Sequence, residues 1–302
     1  MVNITFLGGT ISDDNNGNIN FSAPIIHPSV GTIPAAPPTP VALYTEPNPD
    51  FTGLNLFNYL FTITQGAAVV PNESAFRDFT NNNDTENVPT WSGFGPVQSG
   101  GIRALNGNDV VFGSIDNDVV NGNRGSDQLT GSNGYDYLRG GRDNDFVFGD
   151  SGNDIVNGNR DNDQVSGGSG NDFVRGGQGN DLLFGNNGSD VLVGDFGSDS
   201  LQGGGGADAF ILRADVLAAN AQAADRILDF SSGAGDYIII AGASRFTVGL
   251  SDTTNIAGAA TNDTIISFNG QILGVVLDTN QANVFNNLFS VAIDSPLVTS
   301  VG

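Results

Sequence analysis

A nine-residue period runs from Ala104 to Ile211 without an insertion, giving twelve consecutive rows. The sixth residue is Asp in every row: Asp109, Asp118, Asp127, Asp136, Asp145, Asp154, Asp163, Asp172, Asp181, Asp190, Asp199 and Asp208. The eighth is Val, Leu or Phe throughout, from Val111 to Phe210. The first is Gly in eleven rows, with Ala104 the exception, and the fourth is Gly in nine and Asp in three (Asp116, Asp143, Asp161). A unit this short cannot bury a hydrophobic face alone, so it must stack on copies of itself. One apolar residue per row, flanked by turn residues, predicts a short strand with its middle side chain pointing inward. Two rows then make one coil of turn, strand, turn, strand. The predicted fold is an all-β solenoid of six coils with parallel strands, a β-roll.

The letters of the turn carry chemistry. Glycine at the first and fourth positions is expected to permit positive φ and to let backbone carbonyls approach one point. A carboxylate in the same turn adds charge to them. Hard oxygen donors of this kind suit Ca²⁺, which accepts six to eight oxygens in flexible geometry; Mg²⁺ holds its waters and demands tighter packing. Odd and even rows stack on opposite edges, so each edge aligns six Asp about 4.8 Å apart. Without cations such stacks would repel along their length.

The row G-x-x-G-x-D-x-(V/L)-x, twelve times in tandem, resembles the RTX, or haemolysin-type, calcium-binding repeat. The resemblance implies one Ca²⁺ between neighbouring turns of a stack, with the twelve sixth-position Asp as side-chain ligands. It also implies carbonyl ligands from the second and fourth positions of one turn and the first and third of the next. For the first site this means Leu105, Gly107, Asp109, Gly122, Arg124 and Asp127. Five gaps on each edge give up to about ten Ca²⁺. The Asp-for-Gly changes at 116, 143 and 161 depart from the pattern and either add ligands or weaken their turns.

A longer period lies within the nine. Asp109–Arg139 and Asp145–Arg175 share 17 of 31 residues, which points to duplication of two coils. The seventh and ninth positions flank the buried eighth and face outward. In odd rows Val110/Phe112, Phe146/Phe148 and Leu182/Phe184 alternate with Gln128/Thr130, Gln164/Ser166 and Ser200/Gln202. In even rows Ile155, Phe173, Val191, Val193 and Ile211 stand at these positions. So many outward apolar groups mark a contact. Either a flanking segment folds back over them or other copies pack laterally. Arg124, Arg142 and Arg160 stand at the third position of successive odd-row turns, as charge balance or as a stripe for acidic polysaccharide.

The flanks divide the chain into an N-terminal region (1–103), the roll (104–211) and a C-terminal cap (212–302). Residues 22–50 hold eight of the twelve Pro and read as an extended arm, with His27 structural within it. Val2–Leu7 and Leu54–Thr64 read as strands, Ser74–Thr80 as a short helix, and Asn81–Asn87 as a polar loop. Trp91 is expected to cover the first coil. Past the roll, Arg213–Ala224 reads as a short helix. Asp225–Phe230 and Gly235–Ile240 follow, and they resemble the cap that succeeds RTX repeats in serralysin-type proteins. Asn269-Gly270 between two apolar runs is a hairpin signal. The tail, Val284–Val301, alternates apolar and small polar residues. The resemblance implies an uncleaved C-terminal export signal there. That agrees with an N-terminus lacking the basic and apolar regions of a cleavable leader.

Composition limits the remaining functions. A net charge of -23, with ten Arg, no Lys and thirty Asp, argues against nucleic acid as a partner. The absence of Cys excludes thiol chemistry and zinc–thiolate sites, and a single His excludes an HExxH protease. No stretch is long and apolar enough for a membrane helix. With no catalytic motif, the expectation is a non-enzymatic, secreted, calcium-binding structural protein of a bacterial cell surface or matrix. It would fold on Ca²⁺ outside the cell and self-assemble into a filament, sheath or layer. The alternative is a calcium-dependent adhesin or polysaccharide-binding module. About ten Ca²⁺ would bring roughly +20 and leave the loaded chain near neutrality, which favours self-association.

Overall fold

A computed structural model describes residues 3–6, 9–13, 19–21, 77–87, 102–254 and 262–291. The Pro-rich arm with His27, the 54–64 segment, Trp91 and the tail beyond 291 lie outside the described residues. Asn3–Phe6, Gly9–Asp13 and Ile19–Phe21 form a three-stranded antiparallel sheet, in agreement with a strand at the N-terminus.

The rows form a parallel β-solenoid of about six coils. The six strands starting in even rows are the middle of a ten-stranded sheet, and the six starting in odd rows belong to an eleven-stranded one. The register is the coil itself: Tyr137 pairs with Val119 and Leu138 with Val120, eighteen residues apart. Between the sheets lie the eighth-position residues, Val111, Leu129, Leu138, Val147, Val156 and their equivalents, fully buried in one continuous core. Burying each such side chain stabilises the roll by about 1.5–3 kcal/mol.

The strands are longer than the three residues read from the sequence. Gln128–Asn133 and Phe146–Ser151 are representative six-residue strands that run through the third position of the next row. The pairing steps over the first-position glycine: Arg139 faces Asn121, and the next pair is Gly141 with Asn123. Positive φ falls at the second and fourth positions rather than the first. Asn123 (φ 74°) and Gly125 (φ 112°) are examples, and Asp143 and Asp161 adopt 75° and 72° in place of the fourth-position glycine. The first-position glycine serves a different purpose. A Cβ at Gly122 would stand under 3.0 Å from both Asp127 Oδ2 and the Gly140 carbonyl. It is retained for space, not for backbone conformation.

Both sheets continue beyond the rows. At the front, Arg77–Asp78 pairs in parallel with Ile102–Arg103, and Thr85–Asn87 with Val110–Phe112. The segment read as helix therefore contains a strand, and the one read as a polar loop ends in another. Ladder bonds to the first coil outweigh local preference here. At the far end, Asp225–Ile227 extends the odd sheet and Tyr237–Ala241 the even sheet, both parallel. The Asn269-Gly270 hairpin forms with positive φ at both residues and joins Asn262–Phe268 to Gln271–Val276. A helix, Gln281–Asn286, buries Val284 against the end of the core and leads into Leu288–Val291. Residues 214–224 are turns and bends with one bridge, Ala218 to Ile272, not the expected helix. Asn220 Oδ1 accepts the N–H groups of Gln222 and Ala223, and Asp215 turns back onto Arg213. Such local side-chain bonds compete with the helical ladder.

The two outer faces differ. On the even sheet, Phe173, Val191, Val193, Ile211 and Ile239 are buried in a second apolar cluster. On the odd sheet, Phe112, Phe146 and Leu182 remain 38%, 50% and 45% exposed.

Candidate metal centre

Each sixth-position Asp closes its turn and points inward where one coil lies on the next. All twelve are at most 3% exposed. The turn places them there because the fourth-position residue reverses the chain in the left-handed region and the following residues enter the strand.

One carboxylate oxygen has a repeated task. The N–H of Asp109 donates to Asp127 Oδ1, that of Asp127 to Asp145 Oδ1, and so on along the odd rows to Asp199. An identical chain joins Asp118, Asp136, Asp154, Asp172, Asp190 and Asp208. These bonds are 2.7–2.9 Å long and tie each coil to its successor.

The second oxygen has no such task. Oδ2 of Asp109, Asp127, Asp136, Asp145, Asp154, Asp163, Asp172, Asp181, Asp190, Asp199 and Asp208 is buried without a hydrogen-bond partner. Asp118 is the exception, because its Oδ2 accepts the Ser114 N–H at 2.6 Å. A buried ionised carboxylate is costly unless a proton or cation meets it. The acidities follow. Burial, reinforced by neighbouring ladder carboxylates, pushes Asp136, Asp145 and Asp172 up to about 8 and Asp163 to about 9. The N–H bond from the preceding Asp opposes this only in part.

The orphan oxygen faces other oxygens. Asp127 Oδ2 and the Gly140 carbonyl both lie within the space a Cβ at Gly122 would need. The same holds for Asp136 Oδ2 with the Gly149 carbonyl at Gly131, and for Asp190 Oδ2 with the Gly203 carbonyl at Gly185. Carboxylate and carbonyl oxygens of adjacent turns thus converge with no donor between them. This suits a hard cation or, in its absence, a proton on the carboxylate. Among the described residues no group of three or more His, Cys, Asp or Glu converges on one point, so a cation here relies on backbone carbonyls. At the first gap the Leu105 carbonyl accepts the Arg124 N–H at 3.0 Å, and the Arg124 carbonyl accepts the Gly107 N–H at 3.1 Å. Each carbonyl keeps a second lone pair.

Three rows escaped the sequence period. Asp84 N–H donates to Asp109 Oδ1, Asp199 N–H to Asp225 Oδ1 and Asp208 N–H to Asp236 Oδ1. Asp84, Asp225 and Asp236 therefore occupy sixth-position places, and Ile227 and Ile238 fill the inward eighth. The signal was present in Asp225-Arg226-Ile227 and Asp236-Tyr237-Ile238, which keep D-x-apolar while losing the glycines. Asp195, at a second position, has another role. It is buried between Arg175, whose Nε donates to it, and Arg213 at 2.8 Å, and it braces the even sheet.

The RTX calcium-binding nonapeptide repeat model matches residues 102–129, 121–156, 148–183, 157–192 and 184–216. Residues 102–216 therefore carry RTX-type calcium-binding nonapeptide repeats. No curated protein matches the chain significantly. Among solved structures, the AlgE6R3 subunit of the Azotobacter vinelandii mannuronan C5-epimerase is 24% identical with a TM-score of 0.33, covering 43% of this chain and 78% of that one. The extracellular lipase LipA of Serratia marcescens is 16% identical with a TM-score of 0.21, covering 62% of this chain and 40% of that one. No described helix is long and apolar enough to cross a membrane.

Proposed function

We propose that the chain is a secreted structural protein of a bacterial cell surface or extracellular matrix whose roll folds on Ca²⁺. The observation that carries this reading is the set of eleven buried carboxylate oxygens without partners. The twelve sixth-position Asp form the ligand set, for up to about ten ions in the repeat gaps, with Asp118, already held by the Ser114 N–H, contributing least. In a calcium-poor cytosol, carboxylate repulsion keeps the roll open and fit for export; outside, ion binding and folding become one equilibrium. The division into 1–103, 104–211 and 212–302 serves this scheme, with the last part a cap of serralysin type that carries the export signal.

The loaded protein assembles with copies of itself through the odd sheet. Phe112, Phe146 and Leu182 support this, since they stay exposed while Phe173, Val191, Val193 and Ile211 of the even sheet are buried. Sedimentation and electron microscopy of the calcium-loaded full chain test it. Filaments, sheaths or layers are expected, and a monomer at concentrations far above micromolar would refute assembly.

A second reading, an adhesin or polysaccharide-binding module, rests on Arg124, Arg142 and Arg160. All three are exposed, and Arg142 pairs in register with Arg124. Glycan-array binding that disappears on replacing all three by Ser would favour it.

A further inference from the structure

The carboxylate ladders outlast the repeat. Asp225 and Asp236 lie beyond the matched residues, 26 and 28 residues after Asp199 and Asp208 instead of eighteen. That spacing hides them from any nine-residue pattern. Each nevertheless accepts the preceding ladder N–H at 3.0 Å, as the internal Asp do. Both are buried, at 6% and 3% exposure. The strands that follow them, Asp225–Ile227 and Tyr237–Ala241, pair in parallel with the last coil.

The preceding rungs supply an independent observation. Asp199 and Asp208 are fully buried, and Oδ2 of each has no partner. Each such oxygen occupies the Cβ space of its own first-position glycine, Gly194 and Gly203, as in the internal rows. There the equivalent oxygen serves the gap toward the next turn. For Asp199 and Asp208, the next turn is the one ending in Asp225 or Asp236. Past these gaps Asp236 Oδ2 accepts the Ser231 N–H at 2.8 Å and closes its stack, so the free oxygen of the last gap is that of Asp208; at the other end the gap-facing oxygens themselves are taken. Asp118 Oδ2 is taken by the Ser114 N–H, and Asp84 Oδ2 by the N–H and Oγ1 of Thr80.

We propose that the gaps between Asp199 and Asp225 and between Asp208 and Asp236 each bind one divalent cation, Ca²⁺ by the same oxygen chemistry. Cation binding therefore extends past the repeats and clamps the segment carrying residues 225–241 onto the last coil. The inference rests on the calcium reading of the repeats.

Asp225→Asn and Asp236→Asn in the full chain test it. Each keeps an oxygen to accept the ladder N–H and loses the charge. Native mass spectrometry of the protein with Ca²⁺ counts the ions. Hydrogen exchange at limiting Ca²⁺ follows the amides of 237–241. Each variant is expected to hold about one ion fewer than the parent, and the double variant about two fewer. Protection of 237–241 should be lost at Ca²⁺ concentrations that protect it in the parent. Asp215→Asn is the control: Asp215 pairs with Arg213 at 2.9 Å just past the last row but stands outside the ladder. It should leave the ion count unchanged. Unchanged counts in the Asp225 and Asp236 variants, or an equal loss in the Asp215 variant, would overturn the inference. A parent that binds no Ca²⁺ would instead overturn the reading beneath it.

Discussion

In the middle of either stack, at Asp145 or Asp154, one carboxylate oxygen accepts an N–H from the previous coil and the other is buried without a partner. At the ends, Asp84, Asp118 and Asp236 carry the same carboxylate, but its second oxygen accepts a backbone N–H four or five residues upstream, from Thr80, Ser114 or Ser231. Rows that spell the same letter thus differ in what they need from solution. The ends close their stacks with their own backbone. The middle stays incomplete until a cation or a proton arrives. A solenoid needs closed ends to avoid open-ended growth through its coils, and a switchable one needs an incomplete middle.

The largest expected effect separates these regions by pH in the absence of metal. The middle carboxylates are held well above the ordinary 3.8, at about 7 to 9 for Asp127, Asp145, Asp163 and Asp181, because burial disfavours their charge. The folded state then binds more protons than the unfolded one between those values. Stability from these groups is fully present below about pH 4, and it is lost as pH rises through about 7 to 9. In chelator, the full chain should show roll-like circular dichroism in mild acid and lose it in mild alkali. A metal-free protein that grows more stable with rising pH would break the comparison.

Next in size are matched substitutions. Asp163→Asn leaves the ladder acceptor but puts an uncharged group where the orphan oxygen lies. It should raise the Ca²⁺ concentration at the folding midpoint by about 10-fold or more, as lost metal ligation commonly does. Asp118→Asn, at a closed end, should shift it by less than about twofold, since the Ser114 N–H still finds an acceptor. Equal shifts for the two would erase the distinction between middle and end.

Glycines sharpen the same contrast through space. Gly122→Ala would drive a methyl group against Asp127 Oδ2 and the Gly140 carbonyl and should cost about 1–3 kcal/mol in calcium-loaded thermal unfolding. At Gly205 an added Cβ meets nothing nearer than 3.9 Å and φ is ordinary, so Ala there should stay within about 0.5 kcal/mol. The smallest effect on stability belongs to the outer face. Phe146→Ser should change unfolding by less than about 0.5 kcal/mol yet reduce sedimentable assemblies. Unaltered assembly would remove the odd sheet from the contact.

Much of this was legible in the sequence because the period is strict. The twelve Asp, the inward eighth residues and the parallel coil follow from spacing alone, and the Asn269-Gly270 hairpin from its turn chemistry. The terminal rows were not legible. Residues 79–87 place Glu86 where the core residue belongs, and the 212–236 segment spaces its Asp by unequal loops. Only pairing to an already formed coil makes strands of them. The role of the first glycine was misread for a related reason. Positive φ is a property of one residue, whereas the space at Gly122 is set by an Asp five residues on and a carbonyl eighteen residues on. The contrast between the two outer faces was equally hidden, because both carry apolar letters in the same positions.

The central claim is that the middle of each stack is completed by Ca²⁺. Far-ultraviolet circular dichroism of the full chain in mild alkali, where the metal-free carboxyls have lost their protons, titrated with Ca²⁺ and then with chelator, tests it most directly. The expected result is a cooperative gain of β-structure with Ca²⁺, its loss on chelation, and little response to equal Mg²⁺. A β-rich spectrum of equal strength with Ca²⁺ and with chelator at that pH would contradict it.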